Sequence, residues 1–153
     1  MRVAGIDPGS KGAICVMDTQ NPAYIASLYL IKESAYTIAK WLHEQSVDQI
    51  WIEDVHSIFG VSAKSNFSFG KNVGIVSAVS LIIVKGQISR VHLIAPKVWQ
   101  KYAGVTQKGK FIKTQVAELV TDKYPGVQIR NERGTLLDGV ADAAMIAHYG
   151  MNN

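Results

Sequence analysis

Four acidic residues in this chain sit where they could do chemistry together. Asp7 closes the apolar run Arg2 to Ile6, Glu53 closes the run Gln49 to Ile52, and Asp138 and Asp142 stand four apart in the stretch from Leu137 to Ala144. Each has an ordinary reading by itself. Asp-Pro-Gly is common turn chemistry, a carboxylate at a strand end is usually solvated, and an acid in a first helical turn complements the helix dipole. Together the four become more specific. If the first two runs are parallel neighbouring strands, Asp7 and Glu53 emerge at the same C-terminal edge, where open α/β sheets place their ligands. Asp138 and Asp142 share one helix face and repel each other there, and Asp142 lies among Val140, Ala141, Ala144, Met145 and Ile146, where a lone buried acid would be costly. Carboxylates that converge against repulsion need a cation, and an all-oxygen set suits Mg²⁺ or Mn²⁺ rather than zinc. Two such ions can activate a water, clamp a phosphate and stabilise the leaving oxygen, so phosphodiester hydrolysis is the implied reaction.

The elements that must position these residues can be read from patterning. Arg2 to Asp7, Gly12 to Asp18 and Tyr24 to Leu30 read as three strands joined by tight turns, hence an antiparallel meander. Ser34 is an expected N-cap for a helix through about Ser46, with Ile38, Trp41, Leu42 and Gln45 on one face. Gln49 to Asp54 follows as a strand parallel to the first through a right-handed crossover. His56 to Ser65 reads as an exposed loop, and a long helix from Asn66 to Val84 carries Phe67, Gly70, Gly74, Ser77, Ala78 and Leu81 near one stripe. Arg90 to Ala95 is a fifth strand, Pro96 opens a short helix to Tyr102, and two more helices cover Lys110 to Tyr124 and Leu137 to Tyr149. The expected fold is α/β: a mixed five-stranded sheet, an antiparallel meander plus two parallel strands, flanked by helices.

Length and composition agree. The chain has 153 residues, 48% of them apolar and only 18% charged, enough to bury a core as a single domain over residues 1–153. One cysteine, Cys15, rules out an intramolecular disulfide framework and fits a reducing cytoplasm, with Cys15 itself a small buried hydrophobe. The N-terminus shows no secretory pattern. The most apolar stretch, Val73 to Val84, is shorter than the roughly 20 residues that cross a bilayer, so no membrane partner is expected. Net charge is +4, unevenly placed: residues 1–84 hold 6 basic and 7 acidic side chains, residues 85–133 hold 10 and 3, and residues 134–153 hold none and 2. A basic third is the footprint of a nucleic-acid binder, although a solvated lysine surface gives the same count.

The run Gly5 to Gly9, the strand-end Glu53 and the helix Asp138 to Ala144 resemble the RuvC-like Holliday junction resolvases of the ribonuclease H-like superfold. Val55 through Phe67, Phe69, Gly70 and Gly74, followed by Pro96, Trp99 and Lys101, look most like the phage-encoded branch. The resemblance covers nearly the whole chain in order. It implies a homodimer that nicks opposed strands of a four-way DNA junction, with Asp7, Glu53, Asp138 and Asp142 holding two Mg²⁺ ions per site, Mn²⁺ being able to substitute. It also places a lysine of the fourth helix near the metals, for which Lys113 is the candidate, and the 66–84 helix at the dimer interface. Two departures matter. Bacterial members space the last two aspartates three apart rather than four; if only one binds metal directly, it is Asp142. They also carry an aromatic wedge just past the glutamate, where this chain has His56, with Phe59 close behind.

Other signals weigh less. Gly104 to Lys110 nearly matches a phosphate-cradling loop, but Phe111 lacks the hydroxyl for Mg²⁺ and no strand precedes it, so no nucleotide cofactor is expected. Lys97, Lys101, Lys108 and Lys110 are instead candidates for phosphate contacts, and the Val55 to Lys64 loop for contact with the branch point; a solvated helix face is the plain alternative. The four histidines form no ligand spacing, and Trp41, Trp51 and Trp99 read as core. A branched nucleic-acid binder that does not cut, or a broader branched-DNA nuclease, remains as an alternative. An actin-like phosphotransferase would need a second lobe for which 153 residues leave no room.

Overall fold

A computed structural model describes residues 1–55, 60 and 62–153. The elements, in chain order, are β1 (Arg2–Asp7), β2 (Ala13–Asp18), β3 (Ile25–Tyr29), α1 (Ala35–Glu44), β4 (Gln49–Glu53), α2 (Ala63–Ile83), β5 (Val91–Ile94), α3 (Pro96–Tyr102), α4 (Phe111–Lys123) and α5 (Asp138–Met151), with a 3-10 turn at Ile88–Arg90. The sheet order is β3-β2-β1-β4-β5. β1–β2 and β2–β3 pair antiparallel, whereas β1–β4 and β4–β5 pair parallel. This is the α/β arrangement expected from the patterning, a mixed five-stranded sheet flanked by helices.

Strand alternation decides what each face receives. Ala4, Ile6, Ile14, Val16, Ile50 and Ile52 point to one side and bury against α1 and α2. Their neighbours Ala13, Cys15 and Met17 point to the other and pack under α3, α4 and α5. The same alternation sends Asp7 and Glu53 to the α5 side, because each follows an isoleucine that faces the opposite way. α5 is buried along most of its length and lies directly on β1. Gly5 makes that possible: a Cβ there would stand 2.2 Å from the Ala143 carbonyl oxygen and 2.3 Å from the Ala147 nitrogen. Gly139 does the same at the start of α5, where a Cβ would meet the Lys11 carbonyl oxygen at 2.2 Å.

Three readings change. α1 stops at Glu44 because Ser46 adopts a left-handed φ of 53°. α2 begins at Ala63, earlier than its periodicity suggests, because Ser62 caps it by accepting from the Ser65 N–H at 3.2 Å. That extension gives α2 21 residues, so by length and composition alone it is long and apolar enough to cross a membrane, unlike the dozen residues counted from the sequence. Here it serves as a layer helix. Val76, Val79 and Ser80 are buried, Lys64 and Lys71 are exposed, and Phe67 is left 76% exposed. Gly70 and Gly74 face open space.

Candidate active site

Because β1 and β4 are parallel and in register from Val3 with Gln49 to Ile6 with Ile52, Asp7 and Glu53 end side by side at one sheet edge. Asp138 and Asp142 reach the same edge from the first turns of α5, and Lys113 from the first turn of α4. Asp7, Gly9, Ser10, Glu53 and Lys113 line an open cleft of about 560 Å³. Lys64 and its neighbours at the start of α2 line it as well.

Each of three acids already has a partner. The Gly9 N–H donates to Asp7 Oδ1 at 2.8 Å, which is the Asx turn that Asp-Pro-Gly favours. The Trp99 Nε1–H donates to Glu53 Oε1 at 2.9 Å, with Trp99 only 1% and Glu53 9% exposed. The Lys113 ammonium donates to Asp138 Oδ2 in an ion pair.

Charge is nevertheless unbalanced. Burial, and then the Asp7 carboxylate, push Glu53 up to about 7, against the Trp99 hydrogen bond. Burial, followed by Asp7, Glu53 and Asp138, pushes Asp142 up to about 8, with Lys113 offsetting only part. Asp7 is raised too, chiefly by burial. The hydrogen bond to Asp138 leads the causes that hold the Lys113 ammonium above its ordinary value. Clustered shifts of this kind mark sites arranged for chemistry. Among the described residues, no three acidic, histidine or cysteine side chains are gathered tightly enough to hold an ion as they stand. Like charges keep apart, and Asp138 is turned to Lys113 while Glu53 is turned to Trp99.

Lys97 and Lys101 are exposed on α3, and Lys108 and Lys110 on the loop before α4. His56 and Phe59 lie outside the described residues. Patterning missed three contributors. Trp99 is core, as expected, but it also holds Glu53; a buried indole N–H needs an acceptor, and β5 delivers α3 beside the end of β4. Tyr29 ends β3 in register with Ala13 and hence with Asp7, and burial, then Asp138 and Asp7, raise its phenol. Gln115, on α4, accepts from two loop amides.

No protein-family model matches the sequence, and no curated protein matches it. Solved structures do. RuvC of T. thermophilus in complex with a Holliday junction substrate superposes with TM-score 0.57 at 17% identity, covering 96% of this chain and 90% of that one. The Thermus thermophilus RuvC structure gives 0.52 at 21% identity over 99% and 98%. Fowlpox virus resolvase, in complex with substrate Holliday junction DNA, gives 0.55 at 15% identity over 99% and 97%. The fold is RuvC-like. These matches run over 96–99% of this chain and 90–98% of the others.

Proposed function

We propose that this protein is a metal-dependent endonuclease that resolves four-way DNA junctions by paired nicks. The observation that carries the reading is the convergence of Asp7, Glu53 and Asp142 from β1, β4 and α5, each with its carboxyl raised chiefly by burial and then by a neighbouring acid, beside a cleft that Asp7 and Glu53 line. Such a set lacks positive charge, and its donors are all oxygens, which suits Mg²⁺ or Mn²⁺. Asp7, Glu53 and Asp142 would hold two ions, with Asp138 joining on release from Lys113. Bound there, the metal would supply an activated water and charge stabilisation for the pentavalent phosphate. The protein contributes the rest. Lys113 neutralises Asp138 and would face the phosphate once Asp138 turns, the Trp99 hydrogen bond fixes Glu53, and Lys64 faces the substrate strand in the cleft.

Paired nicks need two sites, so the active form is a homodimer. The outward stripe of α2, with Phe67, Gly70, Gly74 and Leu81, is its interface: small residues admit a close helix approach, and Phe67 is 76% and Leu81 38% exposed. Lys97, Lys101, Lys108 and Lys110 hold the arms through phosphates, and the segment containing His56 and Phe59 meets the branch point.

Strand mapping on an immobile junction, with flap and fork controls, in Mg²⁺ and in EDTA, tests the reading. Symmetric Mg²⁺-dependent nicks are expected, lost in Asp7→Asn and Glu53→Gln while junction binding stays intact or tightens. Cleavage retained in either variant would remove the metal assignment. Nicks on one strand only would point to a general branched-DNA nuclease, and binding without any cleavage to a recognition module.

A further inference from the structure

We propose that Gln115 is a positioning residue that sets Lys108 and Lys110 for contact with the phosphates of a junction arm; this rests on the reading of those lysines as DNA contacts. The loop from Gly104 to Lys110 joins α3 to α4 and carries both lysines exposed. Its middle has little backbone pairing. Val105 donates to the Gln100 carbonyl, and pairing resumes only where Phe111 donates to Lys108. Between those points one side chain does the holding. Gln115 Oε1 accepts from the Thr106 and the Gln107 N–H, each at 2.9 Å, while its Nε2 donates to Thr106 Oγ1 at 3.2 Å and reaches the Gly104 carbonyl oxygen at 3.5 Å.

All the hydrogen-bonding capacity of that amide is therefore spent on four groups of one loop. Gln115 stands two residues after Lys113 on the same helix, so the clamp ties the phosphate-facing lysines to the helix that brings Lys113 to the carboxylates. Two lysines on a slack loop lose configurational freedom when they bind, and a loop already held loses less. Gln115 thus acts on affinity and on the number of phosphates engaged, through lysines that it does not touch.

The test measures binding of a synthetic four-way junction by the full-length protein in EDTA, as a function of salt, so that cleavage does not enter. Each phosphate contact contributes about −0.9 to the slope of log affinity against log salt. Lys108→Ala with Lys110→Ala is expected to flatten the slope by roughly 2. Gln115→Met, which keeps the side chain's length and removes its hydrogen bonds, is expected to weaken binding about tenfold and flatten the slope by about 1. Added to the double lysine variant, it should have almost no further effect. Gln115→Glu keeps the acceptor and is expected to preserve slow amide exchange at Thr106 and Gln107, which Gln115→Met loses. A Gln115→Met protein with wild-type affinity and slope would overturn the proposal and leave the lysine contacts standing. Full additivity of Gln115→Met with the lysine variant would overturn it as well. An unchanged slope in the double lysine variant would remove the contacts themselves, and the proposal with them. Should Gln115→Met fail to fold, Gln115→Glu with fast exchange at Thr106 and Gln107 yet wild-type slope is the overturning result.

Discussion

Glu53 is closely constrained: nearly buried, raised to about 7, and held by the Trp99 indole N–H. A buried hydrogen bond to a carboxylate is worth about 1.5–3 kcal/mol, and partners that orient a metal ligand typically account for 10–100-fold in metal affinity. Trp99→Phe keeps most of the ring volume and removes the donor. It should weaken Mg²⁺ binding about tenfold, read by calorimetry, with folding intact. Because the Trp99 indole touches Glu53, its fluorescence should also respond to Mg²⁺ in the wild type. A carboxyl raised in the fold holds its proton more tightly there than in the unfolded chain, so it adds no penalty below about pH 4 and destabilises increasingly up to its folded value. For Glu53 and Asp142 that window runs from the ordinary carboxylate range to about 7 and about 8. Without divalent metal, the melting temperature should fall across it by several degrees. Mg²⁺ should restore most of the loss, and Glu53→Gln should melt higher than wild type at pH 8 in EDTA.

At the scale of elements, most of the architecture was legible because strand alternation and turn chemistry are local. Asp-Pro-Gly, Ser34 and Pro96 each mark a boundary that the backbone keeps, and the single helix between β3 and β4 forced the parallel pairing that aligns Asp7 with Glu53. What was not legible depends on contacts across the chain. The Trp99 bond to Glu53 spans 46 residues, and the Tyr29 row crosses two strand pairings. The early start of α2 was hidden because capping by Ser62 outweighs the weak periodicity of Ala63 to Ser65. α2 also offers a clean test. A methyl group added at Gly70 or Gly74 would meet nothing within 4 Å. Changing either to alanine should stabilise an isolated subunit by up to about 1 kcal/mol through helix propensity alone. If a partner helix packs on this stripe, the same changes should weaken the dimer, seen by sedimentation as a rise in dissociation constant.

For the molecule as a whole, the net charge of +4 hides an uneven distribution. If Asp7, Glu53, Asp138 and Asp142 hold metal as proposed, eight acids remain against 16 basic side chains, and junction binding should then be steeply salt-dependent. The fold is shared with solved structures at 15–21% identity over nearly the full chain, and in this chain backbone contact fixes the crossing of α5 over β1. At Gly5 main chain rests on main chain, with no side chain between them. Packed side chains absorb a substitution by shifting rotamers, and such a joint drifts as a sequence changes. A contact between two backbones has no such slack. It works as a machined bearing surface does, setting the offset between the aspartate at the end of the strand and those on the helix whatever decorates the exterior. Gly5→Ala should therefore be far more damaging than its one methyl suggests, while broad repainting of the surface should leave the carboxylate spacing unchanged.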